Sequence, residues 1–86
     1  MPEICRFYGI VVRIFWRDHG PPHFHAEYGG QEALIGIETL EVLHGSLPPR
    51  ARGLIMECAA AHRQELWENW KRAAERQTLT KIRPLE

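Results

Sequence analysis

The chain has 86 residues, of which 44% are hydrophobic, and its 11 Lys and Arg residues balance its 11 Asp and Glu residues. A chain of this length and composition forms a single globular domain, 1–86, and is neither disordered nor fibrous. Because the net charge is zero, no overall attraction draws the protein to nucleic acid or to an anionic membrane. The net charge therefore does not indicate RNA or DNA as a partner, although it does not exclude binding of nucleic acid through a local basic patch.

The start of the sequence, its apolar runs and its two cysteines indicate in which cellular compartment the protein resides. The start, "MPEICRFYG", lacks the basic flank and apolar run of a signal peptide, and no apolar run approaches the roughly 20 residues of a membrane span. Cys5 and Cys58 are far apart and form no C-x-x-C pair, so no disulfide framework is visible. We expect a cytoplasmic protein without a membrane partner, in which both cysteines are small buried hydrophobic residues.

Residues 1–45 are rich in β-branched and aromatic residues, which predicts strands and hairpins. In "IVVRIFWR" the even positions from 10 to 16 are apolar, while Arg13 and Arg17 lie on the other face. "DHGPP" predicts a turn, because proline cannot donate to a strand ladder, and Gly29-Gly30 predicts a hairpin. The candidate strands span residues 4–9, 10–17, 23–28, 31–38 and 39–45, the last being a short strand or an extended connection.

Residues 46–76 predict one long helix, with Ser46 near its N-cap and Pro48-Pro49 in its first turn. An apolar stripe of period 3.6 runs through positions 51, 54, 55, 58, 62, 66, 70 and 73. About 28 helical residues are roughly 42 Å long, whereas a compact chain of this size is only about 30 Å across. The end that carries Trp67 and Trp70 therefore needs cover, either from Ile82 and Leu85 of the extended tail, 77–86, or from another chain.

These elements predict an α+β fold, in which a small antiparallel sheet of four to five strands packs against one long C-terminal helix.

The stretch "RDHGPPHFHAEYGG" holds three of the five histidines, His19, His23 and His25. Strand alternation predicts that the apolar set in residues 23–28 faces the helix, and that the polar set projects from the opposite, wetter face. The apolar set is Phe24, Ala26 and Tyr28, and the polar set is His23, His25 and Glu27.

One interpretation of this cluster is a metal site. Imidazoles at i and i+2 of a strand lie on one face, and neutral imidazole is a common metal ligand. His19, His23, His25 and Glu27 would form a nitrogen and oxygen ligand set of the type that zinc accepts. Against this interpretation, no cysteine joins the set and its spacing matches no defined motif.

A second interpretation is a metal-independent ribonuclease. One imidazole among His19, His23 and His25 would take the 2′-hydroxyl proton and another would protonate the leaving oxygen, while Arg13 or Arg17 stabilised the phosphorane charge. Whether either arginine shares a face with His25 depends on the strand register, which the sequence does not specify.

A third interpretation treats the histidine and glutamate face as an ordinary solvated surface that a partner covers. Tryptophan and arginine are the residue types that most often anchor protein interfaces. The candidate partner-binding residues are Trp67, Trp70, Arg63 and Arg17.

The motifs "MPEI-RF-GI", "DH-PPHFHA-YG--EA-I-I", "ELWENW" and "KIRPL" span almost the whole chain. The chain resembles, on these motifs, a family of small prokaryotic proteins called domain of unknown function 4160. The PPHFH block is its most specific part. The matching positions there are Asp18, His19, Pro21, Pro22, His23, Phe24, His25 and Tyr28.

The resemblance implies a small α+β cytosolic protein, often encoded beside another small protein in an arrangement like a toxin–antitoxin pair. It supplies no catalytic residues. Our leading hypothesis is a non-catalytic, protein-binding component of such a two-gene module, with a cognate small protein or a second copy of the chain as partner. The alternatives are the small ribonuclease and the zinc-type metal-binding protein.

Overall fold

The computed structural model describes residues 3–16 and 18–84. In them an antiparallel sheet of five strands packs against two helices, so the predicted α+β class is confirmed. Each strand pairs with its neighbour in the chain, in the order β1-β2-β3-β4-β5. The strands are β1 (Glu3–Phe7), β2 (Ile10–Arg13), β3 (His23–Tyr28), β4 (Gln31–Gly36) and β5 (Val42–Gly45), and the helices are α1 (Pro49–Ala61) and α2 (Arg63–Ala74).

One face of the sheet forms the core. Val12 pairs with Ala26, and Phe24 pairs with Ile35, and all four side chains are buried. Because side chains alternate along a strand, residues 23, 25 and 27 lie on the opposite, outer face. The prediction that Phe24 and Ala26 face the core is confirmed, whereas Tyr28, at the end of β3, is 38% exposed.

The connection between β2 and β3 is longer than the sequence predicts. β2 ends at Arg13, not at residue 17, although Ile14 beyond it is still fully buried. The described residues of this connection, 14–16 and 18–22, form the β2–β3 loop, and the chain re-enters the sheet after Pro21 and Pro22. This loop brings Asp18 back to the start of β3.

The prediction of one long C-terminal helix is wrong. α1 begins at Pro49, as the prolines predict, but helical geometry is interrupted at His62, whose backbone has φ −122° and ψ 29°. An unbroken helix of roughly 42 Å would exceed the longest dimension of the protein, 33 Å. The interruption lets both helices contribute to one core, through Ile55 of α1 and Leu66 of α2.

The C-terminal tail covers the second helix. Ile82 is buried, and its N–H donates to the carbonyl oxygen of Ile4 in β1 at 2.8 Å. The amide of the fully buried Asn69 donates to the Thr80 carbonyl and accepts from the Thr80 N–H, both at 2.8 Å. The tail thus contacts α2 through Thr80 and β1 through Ile82, while Leu85 lies outside the described residues. Within the residues that the structure describes, no helix is long and apolar enough to cross a membrane.

Candidate metal centre

Three side chains converge where the β2–β3 loop meets β3. Asp18, His23 and His25 each present one ligand atom, and these atoms all lie within 4.8 Å of one another. His23 and His25 are the first and third residues of β3, so the two-residue period of the strand places both imidazoles on one face. Pairing with β2 on one side and β4 on the other fixes the position of this strand.

Asp18 reaches the imidazoles from the loop. Its Oδ1 atom accepts a hydrogen bond from the His19 backbone N–H at 2.9 Å, which orients the carboxylate. Its Oδ2 atom lies 3.0 Å from Nε2 of His23 and 3.0 Å from Nε2 of His25. One carboxylate oxygen therefore faces both imidazoles.

The other ring nitrogens also face oxygen atoms. Nδ1 of His23 lies 2.8 Å from the carbonyl oxygen of Pro21, and Nδ1 of His25 lies 3.2 Å from Oε2 of Glu32. A carbonyl oxygen only accepts hydrogen bonds, so Nδ1 of His23 carries its hydrogen. A neutral imidazole then presents a lone pair at Nε2, facing the carboxylate of Asp18. That contact is unfavourable unless a proton or a cation lies between the two atoms.

Asp18 is suited to binding a cation. Burial is the largest influence on the pKa of Asp18 and raises it, but the hydrogen bonds from His25 and from the His19 N–H, together with attraction to His23, outweigh burial and lower the pKa below its usual value. The carboxyl group is therefore ionised at neutral pH.

Aromatic residues hold both imidazoles in place. The ring of His23 is 4% exposed and its centroid lies 5.0 Å from that of Trp70 in α2. The ring of His25 meets the ring of Phe15 edge-on, with centroids 4.4 Å apart. The alternation of β3 is as predicted, but the prediction that its imidazoles look out on solvent is wrong. Asp18 and Trp70 cover His23, and the side chain of His25, packed against Phe15, is only 13% exposed.

The strand register places Arg13 beside His25. The two residues are cross-strand partners between β2 and β3, so their side chains share the outer face. The guanidinium group of Arg13 forms an ion pair with Glu27 at 2.6 Å. Glu27 therefore pairs with an arginine and is not part of the convergent ligand group.

None of the other predicted site residues that the structure describes belongs to the three-residue ligand group. His19 is exposed and touches Asp18 through its backbone N–H. Arg63 is exposed on α2, and Trp67 is partly buried against the core, as is Trp70. Arg17 lies outside the described residues. Asp18 is not among the ligands that the sequence predicts. The one indication of its role in the sequence is its position, as an acidic residue at the start of a turn that ends in His-x-His.

A family model described as domain of unknown function, DUF4160, matches residues 9–71, which is most of the chain. The chain belongs to this family. No curated protein and no solved structure matches it.

The DUF4160 match contains all three converging residues and also Trp70, which packs on His23. It ends before the tail that covers α2. The matched segment alone therefore includes the complete ligand group.

The chemistry of the group is that of a transition-metal site. Two imidazole nitrogens and one carboxylate oxygen form a three-ligand set that zinc and related ions accept. Imidazole ligands in such sites donate their second N–H to a carbonyl or carboxylate oxygen. Pro21 and Glu32 provide these two acceptors here.

The geometry gives less support to acid–base cleavage of RNA. Two cavities of the described part of the chain, of about 310 and 290 Å³, are lined by residues other than His23 and His25. The guanidinium group of Arg13 is already paired with Glu27. The ribonuclease hypothesis stays a prediction.

Proposed function

We propose that the protein binds a divalent transition-metal ion of the zinc type through Asp18 Oδ2, His23 Nε2 and His25 Nε2. The observation that carries this proposal is the orientation of the two imidazoles. Each directs Nε2 at the same carboxylate oxygen and Nδ1 at a separate oxygen acceptor. A cation among the three ligand atoms replaces the unfavourable contact between His23 Nε2 and Asp18 with coordinate bonds, and Nδ1 of His23 keeps the Pro21 carbonyl as its hydrogen-bond acceptor.

The ligand types set the choice of ion. Calcium and magnesium prefer sites made of oxygen atoms, whereas imidazole suits zinc, copper, nickel and iron. Two of the three ligands here are imidazoles. We therefore expect zinc to bind more tightly than magnesium or calcium.

The ligands come from two parts of the fold. Asp18 belongs to the β2–β3 loop, and both histidines belong to β3. An ion held by all three ties the loop to the sheet. Since the unfolded chain does not hold the ligands together, binding of the ion also stabilises the fold.

Calorimetric titration of zinc chloride into metal-free protein tests the proposal. We expect one ion per chain, and we expect His23→Ala, His25→Ala and Asp18→Asn each to abolish binding or to weaken it at least tenfold. His19→Ala is the matched control, because His19 lies in the same motif but outside the ligand group. Absence of zinc binding by the wild-type protein, or an equal loss in the His19→Ala protein, would contradict the proposal.

We propose a second function, which is binding to a cognate small protein as one half of a two-gene module. An exposed tryptophan supports it: Trp16, in the same loop as Asp18, is 55% exposed. The tryptophans of α2 are less available, because both are packed against the core. Trp16 is therefore a better candidate anchor than Trp67 or Trp70.

Co-expression with the product of the adjacent gene tests this second function. We expect the two proteins to purify together, and we expect Trp16→Ala to reduce recovery of the partner at least tenfold. Tyr8→Ala is the control, since Tyr8 is 57% exposed and belongs to the β1–β2 turn. Undiminished recovery with the Trp16→Ala protein would exclude Trp16 as the anchor.

A further inference from the structure

The two cysteines of the chain meet inside the core, away from the metal-binding group. Cys5 lies in β1 and Cys58 lies in α1, and their side chains are both buried. Both line one small cavity between the sheet and the helices. The two thiol groups are close enough for each to influence the pKa of the other.

The sequence does not predict that the two cysteines lie close together. The two residues are more than fifty positions apart in the sequence, and neither belongs to a motif that would bring them together. Among the described residues they are not part of a group of three metal-ligating side chains. A pair of adjacent thiols without a third ligand is suited to forming a covalent bond between its two sulfur atoms rather than to binding a metal.

We propose that Cys5 and Cys58 form an intramolecular disulfide when the protein is oxidised, and that this bond joins β1 to α1. With hydrogen peroxide as oxidant, one thiolate attacks a peroxide oxygen, which breaks the O–O bond, and becomes a sulfenic acid. The second thiol attacks the sulfenic sulfur and releases water. In total two thiols and one peroxide give one disulfide and two molecules of water.

The environment of the thiols makes this reaction slow in the native protein at neutral pH. Burial raises the pKa of Cys5, and burial together with the neighbouring Cys5 raises the pKa of Cys58 to about 12. Because the thiolate is the nucleophile, little of the reactive form is present at pH 7. The pair therefore responds to sustained oxidation, over hours, rather than to a brief exposure.

Mass spectrometry of the intact protein tests the proposal. Wild-type protein is incubated with hydrogen peroxide, unfolded, and treated with iodoacetamide to label every free thiol. We expect oxidised wild-type protein to lose two hydrogens and to take up no label, and we expect a proteolytic digest to contain a linked Cys5–Cys58 peptide. Treatment with a phosphine reductant before labelling should restore two labelled thiols.

The single variants Cys5→Ser and Cys58→Ser are the controls, and we expect neither to lose two hydrogens. Two labelled thiols in peroxide-treated wild-type protein would overturn the proposal. So would oxidation of each cysteine to a sulfinic acid, or a disulfide between two chains on a non-reducing gel. None of these outcomes depends on zinc binding, so the test is independent of the metal centre.

Discussion

Asp18 shows what a single residue contributes to the proposed metal centre and why the sequence alone does not reveal its role. His23 and His25 can be assigned to one face by strand alternation, which is periodic. Asp18 lies in a loop, where no period relates position in the sequence to position in space. Its place beside the imidazoles is known only from the structure, in which its Oδ2 atom lies 3.0 Å from Nε2 of each.

Glu32 allows a residue-level prediction. Its carboxylate lies 3.2 Å from Nδ1 of His25, and an acceptor of this kind orients an imidazole ligand and raises its basicity. We expect Glu32→Gln to weaken zinc binding by roughly 10-fold, because losses of 10–100-fold are typical for such partners. Calorimetry with Glu27→Gln as control checks this, and equal affinity of the Glu32→Gln and wild-type proteins would contradict it.

At the scale of elements, the helix break at His62 is a feature that local sequence patterns do not predict. The apolar stripe correctly predicts buried residues on both sides, including Ile55, Leu66 and Ala73. The stretch "AAAHRQ" contains no glycine or proline, so local propensity predicts a continuous helix. The break reflects packing of both helices against one small sheet, which is a tertiary effect.

At the same scale, two glycines allow a stability prediction in which one substitution is the control for the other. Gly45, in β5, has a φ of +79°, and a Cβ atom there would lie 2.1 Å from the backbone oxygen of Glu32, whereas Gly53 in α1 has no atom within 4 Å of such a Cβ. We expect Gly45→Ala to destabilise the protein by about 2 kcal/mol or more. Gly53→Ala should stabilise it by about 1 kcal/mol, because alanine favours helix. Chemical denaturation measures the free energy of unfolding of both variants. A similar change in the two variants would contradict the prediction that alanine is tolerated at position 53 but not at position 45.

Asn69 connects α2 to the tail, and its role was not evident from the sequence. Its side chain forms both hydrogen bonds that hold the Thr80 backbone. We expect Asn69→Ala to cost about 1–3 kcal/mol, because backbone groups of Thr80 lose their partners. Amide hydrogen exchange should accelerate at Thr80 and Ile82 but not in the sheet strands β2 to β4.

Gln64→Ala is the control for that experiment, since Gln64 is exposed on the same helix and bonds only to the neighbouring turn, at Glu68. Unchanged exchange at Thr80 in the Asn69→Ala protein would show that the tail is held by other contacts.

For the whole molecule, the fold class is readable from the sequence because hydrophobic periodicity and turn residues extend along the chain. The family is readable from specific motifs, above all the PPHFH block. The ligand set predicted from the sequence includes His23 and His25 but not Asp18, the loop residue that completes the proposed metal centre. The proposal has a consequence for the whole domain, because an ion that binds only the folded state stabilises all of it.

Thermal unfolding measures this effect. With zinc in 100-fold excess over its dissociation constant, the expected stabilisation is about 2.7 kcal/mol. For a domain of this size that corresponds to a rise in Tm of about 10 °C or more. Magnesium chloride at the same concentration should leave the Tm unchanged, as should zinc added to the His23→Ala protein. An equal rise with magnesium would indicate a nonspecific salt effect.

The most direct test of the metal centre is a crystal structure of the zinc-treated protein with anomalous scattering measured at the zinc absorption edge. We predict one strong anomalous peak, about 2.0–2.2 Å from Asp18 Oδ2, His23 Nε2 and His25 Nε2. A peak at another position, or no peak between the carboxylate and the two imidazoles, would contradict the account.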